Sequence, residues 1–199
     1  FGGMNEAALK HGVRMMYCMA PATVLLNSVT LAASEVTRAS GDYIVGHHNN
    51  PPGGRQGTNG QWQIGPDSMF HWGLGLLPYK DTFMSNTSEH SEHSQSSLQP
   101  AGKYYAGGFN GQEGNPILHA LMAVLSGSYV TCSDGVGSAN TTLLSRLYRT
   151  DGVLLKPSRP VTAIDAQLLQ SIFSGDSSKG AGIAGPQGQL YATHTTIGG

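Results

Sequence analysis

The strongest constraint on this chain is a repeat with a direction. Four times in about 150 residues, a short apolar run is followed by a polar stretch and then by a segment whose apolar residues recur at helical spacing. "VRMMYCM" at 13–19 reads as a buried parallel strand. "PATVLLNSVTLAAS" then reads as a helix with Pro21 in its first turn, and "EVTRAS" as a second strand. "PDSMFHWGLGLLP" predicts a helix led by Pro66 and Asp67, and "KDTFMS" a third strand. "NPILHALMAVLSG" predicts a helix with Asn115 as N-cap, Pro116 in first position and a stop at Gly127. "SYVTCSD" is the fourth strand and "NTTLLSRLYRTDG" the last helix.

The long polar loops, about 46–61 and 86–114, both come after strands and not after helices. That asymmetry belongs to a (β/α)8 barrel, in which loops after strands build the active-site face. A doubly wound sheet shares the repeat and is the rival. Beyond Asp151 the pattern changes, and "GPQGQLYATHTTIGG" alternates like a strand of an antiparallel β domain. The expected architecture is α/β: residues 1–150 form the C-terminal half of a (β/α)8 TIM barrel, and 151–199 a linker and the first strands of an antiparallel β-sandwich domain. The chain starts at Phe1 and stops in a strand-like run, so it is expected to be a piece of a longer protein.

Composition narrows the function classes. Of 199 residues, 39% are apolar, enough for a core, while 12% are charged and the formal net charge is -1. No basic face is available for nucleic acid or acidic lipid. The 28 glycines and 10 prolines suit shaped loops that carry function. No run of 18 apolar residues exists, so a soluble protein without a membrane partner is expected. The triplets "NTS" at Asn86 and "NTT" at Asn140 are glycosylation sequons and point to a secreted or extracellular protein. Cys18 and Cys132 lie in apolar runs, where buried free thiols are the default and a disulfide between them the alternative.

The strand ends carry the candidate chemistry: Cys18 and Met19, then Arg38 and Asp42, then Asp81, then Ser133 and Asp134. Convergent carboxylates beside an aromatic such as Trp62 or Trp72 are what glycoside chemistry requires. One acid protonates the leaving oxygen, others bind hydroxyls, and a ring packs on the apolar side of the sugar. Arg38, four residues before Asp42, is spaced to pair with it or to position a hydroxyl. The plainer alternative is that each Asp only caps the turn that follows it.

The segment "VTRASGDY" resembles the Arg-Ala-Ser-Asp-Asp segment of the raffinose synthase, seed-imbibition protein and alkaline α-galactosidase family. "YCM" (17–19) resembles the strand before it, and "LLPYKDTF" (76–83) the family's Asp-Met-Phe strand end. "GSYVTCSDGVG" (127–137) is similar to its Tyr-Val-Ser-Asp turn, and "LLSRLYRTDGVLLKPSRPVTAID" (143–165) to its passage from the last barrel helix into the β domain. The resemblance implies a retaining double displacement on α-galactosides, hydrolysing or transferring galactose, with Asp42 as the acid/base. Arg38, Cys18, Trp62, Asp81 and Asp134 are then substrate-binding candidates. It also implies that the nucleophile lies upstream of Phe1, while Gly41 stands where the family has the first aspartate of its pair. Those two departures support the alternative, a noncatalytic carbohydrate-binding or structural assembly protein derived from the same barrel. A half barrel would also self-associate or take a partner that completes it.

The histidine pairs His47/His48 and His90/His93 could be metal ligands, but solvated loop histidines are the simpler reading. His71 and His119 fall in helices and read as packing or capping residues. "GGFNGQEGN" lacks the lysine of a phosphate loop. No metal and no cofactor is expected.

Overall fold

A computed structural model describes residues 1–43, 64–86, 113, 115–166, 169 and 190–196. Trp62, His47, His48, His90, His93 and most of both long loops lie outside the described residues. The element order is α1 (Gly2–Lys10), β1 (Met15–Tyr17), α2 (Ala22–Ser28), β2 (Ser34–Arg38), α3 (Ile64–Gly73), β3 (Leu77–Tyr79), α4 (Pro116–Leu125), α5 (Thr141–Leu144), a 3-10 turn (Ser145–Leu147), β4 (Arg159–Ala163) and β5 (Tyr191–His194).

The fold is mixed α/β. β1, β2 and β3 form a parallel sheet in chain order, with Met16 opposite Val36 and Arg38 opposite Tyr79. The sheet is extended by a parallel bridge between Phe83 and Cys132, flanked by Phe83 N–H to Thr131 O at 3.3 Å and Ser133 N–H to Phe83 O at 2.9 Å. "SYVTCSD" therefore contributes a single bridge and not a full strand. Among the described residues the strands follow one another without the order reversal of a doubly wound sheet, and no closure into a barrel is seen. β4 and β5 make a separate antiparallel pair, with Ala163 opposite Tyr191.

Several boundaries differ from expectation, each for a local reason. The helix expected to run to Pro78 stops at Gly73 in a Schellman cap: Gly75 takes φ +79°, its N–H reaches Trp72 O at 3.0 Å, and Leu76 N–H reaches His71 O at 3.0 Å. The released chain enters the sheet early, so β3 is Leu77–Tyr79 and "KDTFMS" lies past its end. Pro21 sits before α2 in extended backbone (φ -66°, ψ 155°), its carbonyl accepting from Val24 and Leu25. The helix expected over 140–152 ends at Leu147, after the four residues of α5 and the three of the 3-10 turn. Tyr148 is extended and bridges Leu154 across a turn closed by Gly152 (φ +86°). An N-terminal helix, α1, precedes β1; Asn5 Oδ1 accepts the Ala33 N–H at 2.9 Å, tying the helix to the chain that enters β2.

The core has three groups. Phe83, Ala120, Ala123, Val124, Leu143 and Leu147 hold α4 and α5 together; burial of a side chain such as Phe83, 0% exposed, stabilises by roughly 2 kcal/mol. Tyr17, Leu25 and Leu76 join α2 to the sheet. Ala39, Ile64, Met122 and Val161 form the third group, so β4 packs directly on α3. That approach depends on Gly65, where a Cβ would strike the Tyr191 ring and stand 3.2 Å from the Ala163 nitrogen.

Both cysteines are free, but they are exposed and not buried. Cys18 follows the last paired residue of β1, and Cys132 lies where the described sheet ends, so neither gains cover from a further strand.

Candidate functional site

Parallel strands in register carry their C-terminal ends to one rim, and the sequence places acids there. Arg38, the last residue of β2, is nearly buried (7% of its side chain exposed) and bonds two carboxylates at once. Its Nη2 lies 2.7 Å from Asp42 Oδ1, and its Nη1 lies 3.3 Å from Asp81 Oδ1. Burial opposes the guanidinium charge, but Asp81 and Asp42 outweigh it and hold Arg38 protonated more firmly than usual. Asp42 is 62% exposed, so a reacting group can reach it; Asp81 is 19% exposed.

Cys18, from the end of β1, joins the same cluster. It lies close enough to the Tyr79 phenol and to Arg38 to act on both. Burial, together with that thiol, pushes the Tyr79 phenol up to about 12. Asp134 stands two residues past Cys132, which bridges Phe83. Its Oδ1 accepts the Ser85 N–H at 2.9 Å and the Asn86 amide at 3.4 Å, while its buried Oδ2 has no hydrogen-bond partner among the described residues. The structure therefore brings together Cys18, Arg38, Asp42 and Asp81, with Asp134 just past the Phe83–Cys132 bridge.

The sequons occupy defined positions. The Asn86 amide donates to Asp134 and to the Ser138 carbonyl. Asn140 is the N-cap of α5, its Oδ1 accepting the Leu143 N–H at 3.0 Å.

Behind the rim lies a buried polar group that sequence reasoning missed. Tyr43 donates its N–H to Asp81 Oδ2 at 2.7 Å and its phenol to Glu113 Oε2 at 2.6 Å; the same phenol oxygen accepts the Met84 N–H at 3.1 Å. Burial and the Glu113 carboxylate push the Tyr43 phenol well above its usual range. Glu113 is fully buried, accepts the Asn115 N–H at 2.7 Å ahead of α4, and lies 3.5 Å from His119 Nε2. Asn115 itself makes no side-chain cap bond; the Glu113 carboxylate binds the Asn115 N–H just ahead of the helix, where negative charge is favoured. Lys80 is also fully buried: its ammonium donates to the carbonyls of Asp81 (3.2 Å) and Thr82 (3.4 Å) and sits 5.3 Å from the Tyr43 ring centre. Burial pushes Lys80 down to about 8, against the pull of Asp81 and Glu113. The adjacency of Tyr43 to Asp42 and of Lys80 to Asp81 was the available signal; Glu113, inside a Gly-rich run, offered none.

Among the described residues, no group of three or more His, Cys, Asp or Glu is placed to hold a metal ion, and no helix is long and apolar enough to cross a membrane. No protein-family model, curated protein or solved structure matches the chain.

Proposed function

We propose that this chain carries the acid/base side of a retaining α-galactoside-processing site, in the second half of a (β/α)8 barrel that runs into a C-terminal β domain. The observation that carries the reading is the Arg38 fork, which fixes an exposed Asp42 beside a mostly buried Asp81 at adjacent strand ends. Consecutive parallel strand order supports the barrel, since a barrel adds each strand beside the last.

In this reading Asp42 protonates the departing glycosidic oxygen as its C–O bond breaks. A carboxylate from chain preceding Phe1 bonds the anomeric carbon at the same time. Water or a sugar hydroxyl then attacks that carbon, losing its proton to Asp42 and releasing the carboxylate. Asp81 and Asp134 bind hydroxyls. Arg38 orients both carboxylates, and Cys18 stands beside Arg38 at the same rim. The protein is proposed to be secreted.

The test is Asp42→Asn in the complete protein. Turnover of methyl α-galactoside should fall by about 100-fold or more, with galactose still bound. Unchanged turnover contradicts the assignment. Gly41, in place of the aspartate the resembled family carries there, favours a second reading in which the rim binds carbohydrate without cleaving it. Galactose binding with no turnover in the unmodified protein would establish that reading.

A further inference from the structure

We infer that Tyr43 is the positioning residue for Asp42, and that Glu113, seventy residues away in sequence, is what holds Tyr43 in place. The inference rests on the acid/base reading of Asp42. Asp42 projects from a short stretch between Gly41 and Tyr43, and its exposed carboxylate is steadied by Arg38. Tyr43, the residue that follows Asp42, is anchored through both its backbone and its side chain, so it fixes the direction of that stretch.

Tyr43 is fixed at three points: its amide on Asp81, its phenol on Glu113, and its phenol oxygen under the Met84 amide. Its ring meets His119 edge-on, with centroids 5.3 Å apart. Glu113 is in turn held by the Asn115 amide at the start of α4 and by His119. The result is a rigid link from α4 to the residue next to Asp42. Because the Tyr43 backbone N–H also binds Asp81, one residue touches both arms of the Arg38 fork, as the chain neighbour of Asp42 and as the hydrogen-bond partner of Asp81. Loss of the phenol hydroxyl leaves ring packing intact but unties the link at its buried end.

The experiment uses kcat/KM, which reports formation of the galactosyl-enzyme, on two substrates in the complete protein. Methyl α-galactoside needs its leaving oxygen protonated; 2,4-dinitrophenyl α-galactoside does not. For Tyr43→Phe, kcat/KM should fall about 30- to 100-fold on the methyl galactoside and less than about threefold on the dinitrophenyl galactoside. General damage to the fold would lower both equally, so an equal fall, or no fall, overturns the inference. Asp42→Asn is measured alongside. If it shows the leaving-group dependence and Tyr43→Phe does not, the positioning role alone fails. If Asp42→Asn shows none, the acid/base reading fails and takes the inference with it. Should Tyr43→Phe not fold, Glu113→Gln is put through the same comparison: it keeps an acceptor for the phenol but gives up one of the two carboxylate bonds. The same selective loss supports the link, and equal behaviour on both substrates overturns it.

Discussion

Replacing Lys80 with methionine should change how stability depends on alkaline pH. The Lys80 side chain is fully buried, and its ammonium is met by the carbonyls of Asp81 and Thr82 and by the faces of Tyr43 and Phe83, at 5.3 and 5.8 Å from their ring centres. Burial lowers its pKa from 10.5 to about 8, with Asp81 and Glu113 resisting. Between those values the unfolded chain holds a proton that the folded chain has released. Stability therefore rises with pH in that window, and the cost of burying the charge is fully present below about 8. At about 1.4 kcal/mol per pH unit the whole effect is about 3 kcal/mol, of which about 2 kcal/mol falls between pH 7.5 and 9.5. Methionine keeps the stem and does not titrate. Urea unfolding of both proteins across that range should show the stability of the unmodified protein rising by about 2 kcal/mol relative to Lys80→Met. Tyr79 and Tyr191, each raised to about 12, and Cys132 lose stability as pH rises, but they are common to both proteins and cancel. Parallel curves would refute the claim that Lys80 is buried as a strained cation.

Other residues give independent tests. Gly65→Ala should destabilise the fold by about 1–3 kcal/mol in urea unfolding, because the new methyl meets the Tyr191 ring and the Ala163 backbone; an unchanged midpoint would mean that β4 and β5 do not sit on α3 as described. Burial lowers His71 from 6.5 to about 4, so its contribution is present above pH 6.5 and is lost, by about 3 kcal/mol, as pH falls to 4. Asp67, raised from 3.8 to about 6, works the other way and masks that loss, so Asp67→Asn should steepen acid unfolding between pH 6.5 and 4; an unchanged slope would contradict the desolvation of Asp67. Asn140→Ala removes the cap on Leu143 N–H and should cost about 1 kcal/mol, read from the shift in denaturation midpoint.

The readable part of the site was local. Asp42 and Asp81 stand just after apolar runs, and Arg38 is four residues from Asp42, so adjacency and spacing were enough to bring them together. Tyr43 and Glu113 could not be paired from sequence, because their contact spans a loop and depends on where α4 starts. The fold followed the same rule. Parallel strand order came from the repeat, but the end of α3 turned on Gly75 adopting a left-handed cap, within a run whose apolar spacing continued past it. The final helix failed likewise, since Thr150, Asp151 and Gly152 favour a tight turn that apolar periodicity does not register.

The central claim is that Asp42 is the acid/base of a retaining site for α-galactosides, and azide tests it most directly. In the Asp42→Asn protein acting on 2,4-dinitrophenyl α-galactoside, the galactosyl-enzyme should form and then stall for want of a base. Azide attacks without needing one, so it should accelerate turnover and yield α-galactosyl azide. No acceleration by azide, or an azide product of β configuration, would contradict the role given to Asp42.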